Sequence, residues 1–324
     1  MIPIIDKLEK ETGKILVFTH ENPDADGIGS MLGLYRFLKK KGKSVECAMK
    51  DAVPQVLDFL PEVNNIKPID PKKEYDVAIL VDAAGVFRAG TKVNAKEFIR
   101  IDHHIGGEFY GGYDTIDTTA PSTTYIVASL LKEWNEKLID KEIATCLYTG
   151  LITDTGSFRY NNVDDRAFDM AKFLVKKGAD PSYIAKMVFE RNKLSTIKLL
   201  QETLSTLKLY ENGKIASLII ERKTLQKCDA LEEETEGFVN YARSIKGVEV
   251  AFIMIQKEDL KTWRVSLRGK GNVDVRNIAA YFGGGGHKDA AGCRIKGGKE
   301  EVKEKLVEKI AEELRKNNLV LQKI

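Results

Sequence analysis

His20-Glu21-Asn22-Pro23-Asp24-Ala25-Asp26-Gly27 is the stretch that decides how the chain folds. Before it, Ile15-Leu16-Val17-Phe18 is an unbroken apolar run of the length of a buried strand. After it, Ile28, Met31, Leu32, Leu34, Tyr35 and Leu38 recur at helical spacing as far as Lys40. One imidazole and two carboxylates therefore sit on a turn between a strand and a helix. In an open α/β sheet, ligands bind at such turns, beyond the carboxyl ends of the strands. Pro23 keeps the turn out of helical geometry, and Gly27 lets the helix start close to whatever the acids hold. On this stretch alone two readings stay open. The residue types suit a hard or borderline cation, and they equally suit an Asx-rich turn with an N-cap.

The neighbouring strands repeat the pattern. Tyr75-Asp76-Val77-Ala78-Ile79-Leu80-Val81 ends on Asp82, and Phe98-Ile99-Arg100-Ile101 runs into Asp102-His103-His104. Continuous apolar runs of this kind belong to a parallel sheet covered on both faces. Three apolar strands that each deliver Asp or His to one sheet edge are hard to ascribe to chance. Helices are expected over 121–134, 140–151, 166–177 and 181–189, with a strand at 44–49 and a short helix at 54–60. The second of these helices leads to Thr153-Asp154-Thr155-Gly156. Asp154 taken alone reads as a C-terminal turn or a cap for the next segment. Ser122, Thr123 and Thr124 read as helix-start residues after Pro121, while Arg159 and Asn161 are placed to reach a substrate.

A helix over 194–209 is expected to connect two domains, giving 1–190, a helical linker at 191–207, and 208–324. The second domain should open with strands at 207–210 and 215–220 turned by Asn212-Gly213. A helix at 233–244, strands at 248–256 and 263–267, a helix at 275–282, a strand at 290–295 and an amphipathic helix at 300–315 should follow. Arg264, Ser266 and Arg268 alternate with Trp263, Val265 and Leu267, so the three polar residues share one face. Gly283-Gly284-Gly285-Gly286 precedes His287. Glycines there let backbone N–H groups approach a phosphate or a base, and Arg268 could clamp a phosphate bidentately. This face is expected to close over the acidic edge of the first domain. The fold class is α/β throughout, a parallel sheet followed by a smaller domain with a mixed sheet.

Composition narrows the function. A chain of 324 residues suits two domains of ordinary size. A net charge of +3 is too weak for a long nucleic-acid footprint and compatible with a short anionic substrate. No apolar run reaches membrane-spanning length, and no basic segment followed by an apolar core marks a secretory signal, so a cytoplasmic protein without a membrane partner is expected. Cys47, Cys146, Cys228 and Cys293 show no C-x-x-C spacing and read as buried reduced thiols rather than a structural zinc site. The four histidines lie in Asp-rich turns or after the glycine run, not on apolar helix faces.

The candidate metal ligands are His20, Asp24, Asp26, Asp82, His103 and Asp154. Four carboxylates at one edge repel each other unless some are protonated or cations intervene. Two divalent ions about 3.5–4 Å apart resolve this and suit in-line displacement at phosphorus, one making hydroxide from water and both polarising the phosphoryl oxygens. Oxygen and imidazole donors without thiolate favour manganese, magnesium or cobalt.

His20-x-x-x-Asp24-x-Asp26, the strand-ending Asp82, Asp102-His103-His104 and Asp154 resemble, in order, the four motifs of the DHH phosphoesterase superfamily. The four glycines before His287 resemble the signature of the DHHA1 domain that follows in one branch. The resemblance implies that His20, Asp24 and Asp82 hold one manganese, and that Asp26, Asp82, His103 and Asp154 hold the other, with Asp82 bridging. It makes His104 a residue that either supports the ligands from behind or faces the phosphate, rather than a ligand, Asp102 the residue that orients a neighbouring imidazole, and Arg268, Ser266, Gly284, Gly285, Gly286 and His287 the substrate-binding set. Short chains of this kind resemble the nanoRNA exonuclease and pAp phosphatase group. The implied activity is release of 5′-mononucleotides from very short RNA or linear dinucleotides such as pApA and pGpG, with 3′-phosphoadenosine 5′-phosphate as a further substrate. Long duplex nucleic acid is not an expected partner, and monomer and homodimer are both compatible. The alternatives are a cyclic di-AMP phosphodiesterase, a manganese pyrophosphatase and a nucleotide-binding module without catalysis.

Overall fold

The computed structural model describes residues 2–286 and 288–321. The chain forms two compact units, Met1–Arg191 and Asn192–Ile324.

The first unit is built on six parallel strands: β1 (Ile15–Phe18), β2 (Val45–Met49), β3 (Lys67–Pro68), β4 (Glu74–Val81), β5 (Asn94–Asp102) and β6 (Thr115–Ile116), in the order β3-β2-β1-β4-β5-β6. Its helices are α1 (Ile2–Lys10), α2 (Ala25–Lys40), α3 (Thr123–Asn135), α4 (Lys141–Asp154), α5 (Asp165–Lys176) and α6 (Pro181–Phe189). Successive strand residues point to opposite faces, and they enter two cores. Ile15, Val17, Val77, Ile79 and Val81 pack with the helices, through Ile28, Met31, Val127 and Leu147. Leu16, Phe18, Ala78 and Leu80 pack beneath the segments carrying Ala83, Ala89 and Val93. This double burial is why the strands read as unbroken apolar runs.

The expected elements shift where a local interaction overrides the apolar pattern. α2 begins at Ala25, three residues early, because Asp24 caps it and accepts from the backbone N–H groups of Asp26 and Gly27 at 3.0 Å each. Asp26 is therefore on the first helical turn. Gly27 is helical too. A Cβ there would lie 2.5 Å from Thr19 Oγ1, so glycine is what lets α2 approach the end of β1. The expected helix at 54–60 is a single 3₁₀ turn, Gln55–Leu57. α1 lacked a sequence signal beyond Ile4 and Leu8, both buried.

The second unit carries α7 (Leu194–Leu204), β7 (Lys208–Tyr210), β8 (Ile215–Ile220), α8 (Arg222–Lys227), α9 (Val239–Ser244), β9 (Val250–Gln256), β10 (Thr262–Gly269), α10 (Val275–Tyr281), β11 (Gly285–Gly286), β12 (Ala290–Lys296) and α11 (Lys299–Leu321). Its sheet, β11-β12-β10-β9-β8-β7, is mixed, with β8–β9 parallel and the other pairs antiparallel. α7, expected as a connector, sends Leu199 into a core with Leu218 and Ile253 of this unit. The helix expected at 233–244 breaks into a 3₁₀ turn, Glu232–Thr235, and α9, with Gly237 at φ +80° between them. Val302, Leu306, Ile310 and Leu314 of α11 pack on Trp263, Val265 and Leu267 of β10. All four cysteines are buried and unpaired as disulfides. Among the described residues no helix is long and apolar enough to cross a membrane.

Candidate metal centre

The strand ends of the first unit bring the six ligand candidates together. His20 follows β1, Asp24 caps α2, Asp26 lies on its first turn, Asp82 follows β4, His103 follows β5, and Asp154 is the last residue of α4. Three sets of donor atoms gather within 4.8 Å: His20, Asp24 and Asp82; Asp26, His103 and Asp154; and Asp82, His103 and His104. Asp82, 3% exposed, stands between them. Its Oδ2 is 3.7 Å from His20 Nε2, and its Oδ1 is 3.7 Å from His103 Nε2. His20 Nε2 is 3.9 Å from Asp24 Oδ1, and His103 Nε2 is 3.8 Å from Asp154 Oδ2. These separations are too long for hydrogen bonds. They match donors spread around a shared ion, since ligands about 2.1 Å from one cation stand roughly 3–4 Å apart.

Backbone strain marks the same positions. Asp82 has φ +58°, a left-handed conformation that is costly for a residue with a Cβ. Beyond Asp154, Gly156, Ser157 and Phe158 are left-handed in succession, with φ 56°, 58° and 59°. This turn ends α4 abruptly beside its terminal acid.

The electrostatics fit cations. Burial, then the Asp82 charge, push the Asp26 carboxyl up to about 7. Burial and the Asp26 charge raise Asp154 well above the ordinary carboxylate range. Burial works against a charged imidazole at His20, yet the adjacent Asp24 and Asp82 carboxylates carry it up to about 11. His103 rises to about 9, against burial, in the field of Asp154, Asp26 and Asp82. Acids that hold protons and imidazoles that gain them report one strongly negative potential. A divalent cation relieves that potential directly, and the donor set is the oxygen-and-nitrogen type that Mg²⁺ and Mn²⁺ accept.

The two adjacent histidines have different partners. His103 Nδ1 lies 3.3 Å from Ala120 O, with Nε2 toward Asp82 and Asp154. His104 Nδ1 lies 2.7 Å from Asp102 Oδ1, an oxygen that also accepts from the His103 backbone N–H at 2.8 Å. Asp102 is fully buried, and despite that burial its pairing with His104 and Arg100 holds its carboxyl down at about 2.

The sequence missed the residues that aim the ligands. Asp26 Oδ2 accepts from Thr123 N at 2.6 Å, and Oδ1 accepts from Thr124 N and Oγ1 at 2.9 and 2.7 Å. Thr123 Oγ1 donates to Asp82 Oδ1 at 2.9 Å. Ser122 caps α3 as expected, through Tyr125 N, but the two threonines also fix two ligands. The one available signal was three hydroxyl residues in a row at a helix start. Asn162 donates to Asp154 O at 3.1 Å and to Pro121 O at 2.8 Å. Arg159, expected to reach substrate, turns back onto Gly156 O at 2.7 Å.

The substrate-binding candidates lie in the second unit. Burial along β10 alternates, leaving Arg264, Ser266 and Arg268 on the more open face. Arg264 pairs with Glu232 at 3.0 Å and Thr235 Oγ1 at 2.9 Å. Arg268 Nη1 donates to Leu267 O at 3.1 Å, and Nη2 is 3.8 Å from Glu236. The glycine run is an edge strand rather than an open loop, with Gly285 opposite Gly292 and Gly286 opposite Ala291. A Cβ on Gly284 would lie 2.1 Å from Gly292 O, whereas Gly285 faces open space. His287 lies outside the described residues.

Comparison with known proteins agrees with this geometry. The DHH family, N-terminal domain, matches residues 14–151, and the DHHA1 domain matches residues 213–316. The bifunctional oligoribonuclease and PAP phosphatase NrnA of Thermus thermophilus is 31% identical over 96% of this chain and 93% of its own. The crystal structure of an exopolyphosphatase-related protein from Bacteroides fragilis is similar with a TM-score of 0.88 at 29% identity, over 99% of this chain and 98% of that one. The cyclic-di-AMP phosphodiesterase GdpP of Geobacillus thermodenitrificans is 29% identical over 89% of this chain, which spans 46% of that protein.

Proposed function

The chain belongs to the DHH phosphoesterases with a DHHA1 domain, and from that premise we propose that it hydrolyses short linear oligonucleotides to 5′-mononucleotides with manganese as its metal. The observation that carries the reading is Asp82, one carboxylate whose two oxygens face separate donor groups. We assign His20, Asp24 and Asp82 to one cation, and Asp26, Asp82, His103 and Asp154 to the other. Bound there, two divalent cations supply an activated water and neutralise phosphoryl charge. The protein's own part is to hold the donors in place. Thr123 and Thr124 fix Asp26 and Asp82, and Asp102 orients His104 toward the scissile phosphate. Arg268, Ser266, Gly284, Gly285 and Gly286 are assigned to substrate binding, with Arg268 on a phosphate. The full ligand set argues against a binding module without catalysis. The short-substrate reading is supported by the relative from Thermus thermophilus, which this chain matches over nearly its whole length. 3′-Phosphoadenosine 5′-phosphate is proposed as a further substrate on the same ground. Cleavage of cyclic di-AMP is the second reading, supported by the likeness to part of GdpP.

The test is a manganese-dependent panel of pApA, pGpG, a five-nucleotide RNA, cyclic di-AMP, 3′-phosphoadenosine 5′-phosphate and pyrophosphate. The linear dinucleotides and short RNA should be cut best. Asp82→Ala should lose on the order of 10³-fold in kcat, since a metal supplies several kcal/mol and each 1.36 kcal/mol is tenfold. Arg268→Ala should raise KM about tenfold, the worth of one charge-assisted contact. Cyclic di-AMP as best substrate would move the protein to the second reading. Preference for pyrophosphate would overturn both.

A further inference from the structure

We infer that Arg100 is a positioning residue for phosphoester hydrolysis, holding the segments that follow Asp82 and His103 in one fixed arrangement. The inference rests on the proposed function for its reaction and on geometry for the residue. Arg100 lies on β5, 1% exposed, below the ligand-bearing edge. Its Nε donates to Ala83 O at 2.9 Å, the carbonyl next to Asp82. Nη1 donates to Glu108 O at 3.0 Å, and Nη2 to His104 O at 3.3 Å. Nε and Nη2 also grip Asp102 Oδ2, the former at 3.0 Å. The other oxygen of that carboxylate takes His104 Nδ1 and the His103 backbone N–H. A single guanidinium thus joins the segment after β4, the segment after β5 and the acid that orients His104.

Stability alone is a poor reason for this arrangement. A buried ion pair pays a desolvation cost that its attraction barely offsets, and apolar replacements are often neutral or better. What Arg offers is a rigid fork of five N–H donors. Here it serves three carbonyls in irregular segments, where the backbone has no sheet partner for them. The segments are also joined directly, Glu108 N donating to Ala84 O at 2.7 Å. Lys at this position keeps the charge but presents its donors from one point, so it cannot reach Ala83, Asp102 and Glu108 together.

The test compares wild type with Arg100→Lys and Arg100→Gln in two assays. One is steady-state hydrolysis of pApA at saturating Mn²⁺, run well below each variant's Tm. The other is Mn²⁺ affinity by electron paramagnetic resonance. Removing a residue that orients ligands costs about 10–100-fold in activity or metal affinity. The expected result for R100K is a kcat lower by that factor, KM within about twofold of wild type, and Mn²⁺ held about tenfold more weakly. R100Q, neutral and shorter of donors, should lose at least as much in both assays. Wild-type kcat and Mn²⁺ affinity in a folded R100K would overturn the inference. So would losses that merely track the folded fraction of either variant. If the wild type binds Mn²⁺ but cuts no phosphoester, the functional reading fails alone, and unchanged or weakened Mn²⁺ binding in R100K still decides the role of Arg100.

Discussion

Asp26 shows how a single side chain ties the site to stability. Two backbone N–H groups and a hydroxyl from the start of α3 hold its carboxylate in place, 2% exposed, near three other acids. Its carboxyl keeps a proton up to about 7 in the folded chain, against about 3.9 when unfolded. A raised carboxyl pKa means that the folded state binds the proton more tightly. The stabilisation is therefore complete below about pH 4 and is lost as pH climbs through 7. Chelated protein should lose Tm between pH 5 and 8, Asp26→Asn should flatten that slope, and saturating Mn²⁺ should raise the wild-type Tm by mass action. Parallel Tm–pH curves for chelated wild type and D26N would contradict this. The six ligand candidates were legible because each lies just past a strand or at one end of a helix, within a short motif. Thr124 and Arg100 were not. Thr124 acts on a carboxylate 98 positions away, and Arg100 reads in sequence as one charge inside an apolar strand.

At the scale of elements, the centre depends on how closely α2 meets the end of β1. Helix propensity favours Ala over Gly by up to about 1 kcal/mol. At position 27 that gain is opposed by a Cβ placed 2.5 Å from Thr19 Oγ1, 3.3 Å from His20 Nε2 and 3.4 Å from Asp82 Oδ2. The first contact is closer than packed atoms tolerate, and it adjoins two ligands, so the steric term should win. Gly27→Ala is expected to lower Tm and weaken Mn²⁺ binding, and Thr19→Ala in the same chain should recover part of both. A rise in Tm with unchanged Mn²⁺ binding would show that α2 has room to move. The longer strands and helices followed from apolar periodicity, whereas β3, β6 and β11, two residues each, carry no period and were not expected. Their ends did not, because capping and turn chemistry set them. Asp24 pulled α2 forward by three residues, and the left-handed Gly237 split one expected helix in two. α8 escaped notice because six residues with one buried leucine carry no period.

At the scale of the whole molecule, each unit has its own hydrophobic core, and all the metal-ligand candidates belong to the first. The chemistry and the proposed substrate contacts are thus carried by separate sheets. The fold class was legible because unbroken apolar strand runs in the first half mark a parallel sheet, while in the second half the Asn212-Gly213 hairpin turn and the alternation along β10 mark antiparallel pairs. The measurement that bears most directly on a two-cation centre bridged by Asp82 is Mn²⁺ stoichiometry by isothermal titration calorimetry, on wild type and on Asp82→Asn. Two Mn²⁺ per wild-type chain are expected, falling to one weakly held ion or none in D82N, with the protein still folded. One ion per wild-type chain, or a stoichiometry and affinity that D82N leaves unchanged, would contradict it.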